Sequence, residues 1–115
     1  MNKVDYFEVG TPDVAGSRAF YTGLFGWEIE EPPSGNAPYR MVDDGNGGLW
    51  DTSDMGGTSW AIFYVHVEDV RAAIDQAQRL GGTVAIPFTH NGAIEFAHLV
   101  DPQGNRFGVW RPKDQ

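Results

Sequence analysis

The chain has 115 residues, a length that fits one domain of the usual ~100–150 residues. Eight Lys and Arg stand against 16 Asp and Glu, a net charge of −8, which argues against the basic patches that nucleic acid or an anionic membrane requires. The absence of Cys excludes disulfides, thiolate zinc sites and cysteine nucleophiles together. With 15 Gly, 4 Trp, 4 Tyr and 7 Phe, the composition predicts many turns and large flat side chains, as in strands around a cavity.

In chain order, Val4 to Val9 alternates as a strand, with Phe7 and Val9 on one face and Val4, Tyr6 and Glu8 on the other. Thr11-Pro12-Asp13 predicts a helix start with Thr11 as cap and Pro12 at the first helical position. Val14, Tyr21, Leu24 and Phe25 then follow helical spacing up to a stop at Gly26. Further strands are expected at Trp27 to Glu31, Tyr39 to Asp43 and around Leu49-Trp50. A loop from Pro32 to Pro38 and a turn at Gly45-Asn46-Gly47-Gly48 separate them.

The pattern then starts again. Trp60 to Val67 alternates, with Phe63, Val65 and Val67 on one face and Ile62, Tyr64 and His66 on the other. Glu68-Asp69 opens a helix carrying Val70, Ala73, Ile74, Ala77 and Leu80 on one stripe, ended by Gly81-Gly82. Strands follow at Thr83 to Pro87, Ile94 to Val100 and Asn105 to Arg111, the last two joined by the turn Asp101-Pro102-Gln103-Gly104. The two halves repeat one plan, so the expectation is an α+β fold. A single domain over residues 1–115 would comprise two βαβββ modules, residues 1–57 and 58–115. Together they would form a partly open, eight-stranded barrel-like sheet with the helices outside. Neither helix covers the strand face bearing Tyr6 and Glu8 or that bearing Tyr64 and His66, and these faces would line a shared concave surface.

Three segments resemble the vicinal oxygen chelate superfamily, which includes glyoxalase I, extradiol dioxygenases and bleomycin-resistance proteins. They are Phe20-Tyr21-Thr22-Gly23-Leu24-Phe25-Gly26-Trp27, Val67-Glu68-Asp69-Val70, and Asp101-Pro102-Gln103-Gly104-Asn105-Arg106-Phe107-Gly108-Val109-Trp110. The likeness is to small glyoxalase-like members. It implies a divalent metal held by His, Glu or Gln on four strands. Carried onto this chain, those positions fall at Val4, Ile62 and Gly108, with Leu49 or Trp50 as the fourth. None offers a side-chain ligand, so no metal or other cofactor is expected.

Glu8 and His66 occupy equivalent places in the two halves and are the candidate catalytic pair, since a Glu beside a His is an acid/base arrangement. They could equally be rim residues, a structural ion pair or ligand contacts. His98 and Glu95 lie on opposite faces of one strand and His90 is expected in the turn Thr89-His90-Asn91-Gly92, so the three do not converge within one strand and a metal role for them is the lesser reading. Tyr6, Trp50, Trp60, Tyr64, Arg106 and Trp110 are the candidate ligand-binding residues. Aromatic faces stack on flat or apolar ligands and Arg takes an anionic group, while core or interface packing is the competing role. Gly108 is expected to leave room in the cleft.

The reading that results is a metal-independent small-molecule binding protein holding a hydrophobic or aromatic ligand. The alternative is a lyase, isomerase or epimerase using Glu8 and His66 for proton transfer, or an unconventional divalent metal. A cytoplasmic location, a homodimer, and no nucleic-acid or membrane partner complete the expectation; the N-terminus, Met1-Asn2-Lys3-Val4-Asp5, lacks a signal-peptide pattern.

Overall fold

The computed structural model describes residues 1–31 and 38–113. They contain strands β1 (Lys3–Thr11), β2 (Tyr39–Val42), β3 (Gly47–Asp51), β4 (Trp60–His66), β5 (Thr83–His90), β6 (Ile94–Val100) and β7 (Arg106–Pro112), with helices α1 (Val14–Phe25) and α2 (Val70–Arg79). The α+β class is therefore as expected, with seven strands in mixed pairing. The chain forms two compact units, Tyr6–Ala61 and Met1–Asp5 with Ile62–Gln115.

In the first unit β3 lies between β1, which it pairs in parallel (Glu8 opposite Gly48, Gly10 opposite Trp50), and β2, which it pairs antiparallel (Tyr39 opposite Trp50). Phe7, Val9 and Val14 pack with Tyr21 and Trp27 against buried Ile29, Val42 and Leu49. This core fixes which strand face meets α1 and leaves Tyr6, Glu8, Tyr39 and Trp50 on the other. The helix is capped by Asp13, whose carboxylate accepts from Gly16 N at 3.0 Å, and not by Thr11. The Thr11 hydroxyl is already engaged by Asp13 N and Ser17 Oγ. Gly26 closes the helix in the left-handed region at φ 72°.

Of the eight expected strands, the one at Trp27 to Glu31 is reduced to a bridge between Ile29 and Val42. The ladder with β2 runs only through Asp43 N to Glu28 O and Glu30 N to Met41 O; Met41 N, the donor that would extend it, goes to the Glu30 carboxylate, and Asp43 O accepts from Asn46 N in the turn. The expected loop over 32–38 lies, except for Pro38, outside the described residues. The glycine turn also sits earlier than expected. Asp43, Asp44 and Gly45 adopt positive φ, whereas Gly47 and Gly48 belong to β3. A Cβ at Gly47 would run into the Phe7 ring and one at Gly48 into Tyr39, so these glycines admit rings and do not bend the chain.

In the second unit the order is β4-β7-β6-β5. β4 pairs β7 in parallel, and β6 pairs antiparallel with β7 and β5. Val67, Val70, Ala97, Leu99 and Val109 form its core, with Val65, Ala73, Ile74 and Ala77 packed on it. The expected stripe of α2 holds except for Leu80, which caps the helix and is exposed. Asp69 caps the start by accepting from Ala72 N. The turn after β6 is organised by Asp101, which accepts from the backbone N–H groups of Gln103 and Asn105. Counting outward from it pairs Val100 with Arg106 and His98 with Gly108.

Candidate functional site

Residues 6–61 build a hydrogen-bonded aromatic cluster around one acid. Glu8 is 2% exposed. Its Oε1 accepts from Tyr39 Oη at 2.9 Å and its Oε2 from Trp60 Nε1 at 3.0 Å, while Tyr39 Oη lies 2.8 Å from Tyr6 Oη. Tyr39 has one hydroxyl hydrogen and gives it to Glu8, so Tyr6 is the donor to Tyr39. The chain of hydrogens therefore runs from half-buried Tyr6 through Tyr39 to the buried acid. Tyr6 Oη also lies 3.8 Å from Met41 Sδ, a weak acceptor.

Both phenols are held in their neutral form. Burial, followed by the Glu8 charge, raises the Tyr39 phenol. Burial pushes the Tyr6 phenol up to about 12, with the charges of Glu8 and Glu30 adding to it and the Tyr39 hydrogen bond opposing it. Trp50 stands nearly perpendicular to both neighbours, at 72° to Tyr39 with centroids 6.0 Å apart and at 90° to Trp60 at 5.6 Å. Glycines seat these rings: a Cβ at Gly10 would strike the Trp60 indole, as one at Gly48 would strike Tyr39.

The second unit holds two further sets. His98 is fully buried, with Nε2 2.6 Å from Tyr64 Oη and Nδ1 3.0 Å from Arg106 Nη1. A guanidinium only donates, so Nδ1 is the acceptor and the ring hydrogen sits on Nε2, directed at Tyr64. His66 Nδ1 lies 3.3 Å from Asp5 Oδ2, and its ring stacks on Trp110 at 4.8 Å. Trp110 Nε1 donates to Asp5 Oδ1 at 2.9 Å, so one carboxylate holds both rings.

The structure thus brings Tyr6, Glu8, Trp50 and Trp60 together, and separately joins Tyr64 to Arg106 through His98 and His66 to Trp110 through Asp5. Sequence reasoning took Tyr39 no further than a wall beside Trp50 and Trp60, weighed His98 only in a metal set with His90 and Glu95, and passed over Asp5. The first two were countable: β2 register puts Tyr39 beside Trp50, and the turn at 101–104 puts His98 on the face of Gly108 and Arg106. Asp5 gave no signal, because its role depends on two residues more than 60 positions away. Gly108 does not leave an open space as expected, because the Tyr64 ring occupies the position a Cβ would take. His90 ends β5, exposed, and is not in a turn. Glu95 pairs with Arg111 at 3.0 Å.

The residues at the metal-ligand positions do not fit a metal. Val4 and Ile62 carry hydrocarbon and position 108 carries hydrogen; Leu49 is hydrocarbon and the Trp50 indole nitrogen is a donor only. Among the described residues no three His, Cys, Asp or Glu side chains converge as a metal site. Each unit also carries an open groove: one of about 620 Å³ beside α1 at Arg18, Trp27, Glu30 and Met41, whose Sδ is the atom 3.8 Å from Tyr6 Oη, and one of about 870 Å³ beside α2 at Asp69, Ala72 and Arg111.

Residues 6–110 match the family model of the glyoxalase-like domain. The chain belongs to that family. The resemblance to the vicinal oxygen chelate superfamily is borne out with it. Among curated relatives, the anthracycline biosynthesis protein DnrV of Streptomyces peucetius is 30% identical, over 92% of this chain and 46% of that protein. The chain spans about half the length of that relative. Solved structures share the fold. The 2,3-dioxygenase LapB from Pseudomonas sp. KL28 has a TM-score of 0.61 at 19% identity, covering 95% of this chain and 42% of that one. A methylmalonyl-CoA epimerase of Streptomyces coelicolor has a TM-score of 0.60 at 14% identity, covering 98% and 99%. No described helix of this glyoxalase-like domain is long and apolar enough to cross a membrane.

Proposed function

We propose that this glyoxalase-like domain binds a hydrophobic or aromatic small molecule without a metal. The observation that carries this reading is the chemistry at the inherited ligand positions. Val4, Ile62 and Gly108 present no lone pair, while Tyr6, Tyr39, Trp50 and Trp60 are gathered around one buried acid. Rigid aromatic faces with a few fixed polar atoms are what such a ligand needs. The relative named for anthracycline biosynthesis supports a role with a small organic molecule. A cytoplasmic homodimer with no nucleic-acid or membrane partner goes with this reading and with the −8 charge.

A thermal-shift screen of aromatic compounds, combined with metal analysis of the purified protein, tests it. A binder at a hundred times its Kd stabilises by about 2.7 kcal/mol and raises the melting temperature. Stoichiometric metal surviving dialysis, or a screen without a single shift, overturns the reading.

A second reading, proton-transfer chemistry of an isomerase or epimerase type, is favoured by one observation. Asp5 orients His66 at 3.3 Å, as a carboxylate does for an imidazole base. It requires that His66→Ala abolish turnover of a substrate with an acidic C–H.

A further inference from the structure

From the outer face of α1, we infer that this helix is the seat of a dimer: two copies of the chain pack α1 against α1, antiparallel about a two-fold axis passing between Ala19 and Phe20. The inference rests on the homodimer that accompanies the binding reading and assigns it a surface; ligand binding itself does not depend on it.

The two helices differ in what they turn to water. α2 packs Val70, Ala73, Ile74 and Ala77 on its core and presents Arg71, Asp75, Gln78 and Arg79 outward. α1 sends Val14 and Tyr21 to its core, yet its opposite face, made of Ala15, Gly16, Ala19, Phe20, Gly23 and Leu24, is exposed and wholly apolar. Phe20 is 61% exposed and Leu24 59%. A helix that is apolar all round belongs in an interior, and a contiguous apolar face on a surface marks a place where something docks.

Gly23 is an independent mark of the same face. Glycine weakens a helix interior relative to alanine. The backbone at 23 is ordinary helix, and a Cβ there would meet nothing within 4 Å. No described neighbour calls for a glycine at that position, whereas Gly16 makes room for the Asp13 carboxylate that caps the helix. A missing side chain on an exposed face is what a second helix passing close by requires.

The order of large and small residues selects a second copy as the occupant. Antiparallel apposition about the axis sets Ala15 opposite Leu24, Gly16 opposite Gly23 and Ala19 opposite Phe20. Each bulky side chain then meets a small one, as ridges meet grooves between packed helices, and a two-fold contact demands that self-complementarity. Charge agrees. Copies of net charge −8 repel wherever acids face acids, and this face bears none of them; Asp13 stands at the end of the helix as its cap. A lipid surface asks instead for Lys and Arg beside the apolar stripe, and α1 offers Arg18 alone, which pairs with Glu31. Twelve residues make a helix of about 18 Å. Its face is smaller than the ~800 Å² per partner of a standard interface, so the dimer is expected to dissociate in the micromolar range.

Sedimentation velocity of the chain from micromolar to millimolar concentration reads the assembly, and circular dichroism the fold of each variant. The parent should pass from monomer to dimer in that range. Ala19→Glu, which sets an acid beside the axis on both copies, should weaken the dimer roughly tenfold or more. Ala19→Lys should do the same, and an equimolar mixture of the two variants should dimerise again, because the axis brings position 19 of one copy beside position 19 of the other. Gly23→Gln should raise the melting temperature at dilution, since a helix former replaces glycine, and yet weaken the dimer.

A parent that stays monomeric overturns the inference together with the homodimer, and leaves ligand binding to the thermal-shift screen. A dimer indifferent to Ala19→Glu and Gly23→Gln, or charge variants that do not re-associate on mixing, overturns the inference alone and leaves the homodimer to another surface. A monomeric parent that binds phosphatidylcholine vesicles through this face also overturns it, with lipid as the cover. Should Ala19→Glu fail to fold, Gly23→Gln decides by its opposite effects on melting temperature and dimer.

Discussion

Tyr64 and Gly108 stand opposite each other on adjacent parallel strands, and the tyrosine ring lies over the glycine where a side chain would begin. The space above position 108, where the family resemblance would put a metal ligand, is therefore filled by a ring from its neighbour.

It follows that Gly108→Ala is destabilising, because the added methyl overpacks a ring that is only 4% exposed. The expected loss is about 1–3 kcal/mol. Urea unfolding of Gly108→Ala, Tyr64→Ala and the double variant checks it: the loss at 108 should shrink when the ring is absent, a coupling the double-mutant cycle reads directly.

Trp60→Phe should weaken the fold by about 1–3 kcal/mol, since it removes a hydrogen bond to a buried acid and leaves Glu8 Oε2 without that donor. The shifted indole N–H resonance should vanish with it. An unchanged melting temperature would mean that Glu8 is satisfied without Trp60.

Stability should fall on the alkaline side. The folded chain holds Tyr6 at about 12 against an ordinary value of 10, and raises Tyr39 too. A phenol whose folded pKa is raised favours the neutral form. Its contribution is fully present below pH 10 and is lost as pH climbs from about 10 through about 12. Melting curves between pH 8 and pH 12, followed beside tyrosinate absorbance, should show ionisation of these residues lagging behind that of free tyrosine; coincident titration would contradict the buried network.

His98 should carry its proton on Nε2. Nitrogen shifts of the imidazole distinguish the tautomers. Arg106→Met should release the constraint on Nδ1, while Tyr64→Phe should leave the Nε2 hydrogen without its partner and cost about 1–3 kcal/mol.

Much of this was readable from residues near one another in the chain. Alternation placed Phe7 and Val9 against a helix and Tyr6 and Glu8 away from it, Gly26 ended the first helix and Asp69 opened the second, and the Asp101–Gly104 turn set the β6–β7 register. Each depends on local periodicity or a local hydrogen bond. Errors arose where an element's fate was decided by side chains from elsewhere. The strand expected at Trp27 stopped at one bridge, with Met41 N taken by the Glu30 side chain, and Gly47 and Gly48 proved to be seats for Phe7 and Tyr39 where a turn was expected.

The sequence by itself determined that the fold is α+β, and that the side chains at Val4, Ile62 and Gly108 carry no donor atom for a metal, since a side chain's own atoms do not depend on its surroundings. Only the tertiary structure decided which polar groups meet. Glu8 finds Trp60 across 52 positions, Tyr39 finds Glu8 across 31, and Asp5 finds Trp110 across 105. Those pairings arise because strands distant in sequence become neighbours in space, and a hydrogen bond acts only within about 3 Å of where the folded backbone brings its two ends.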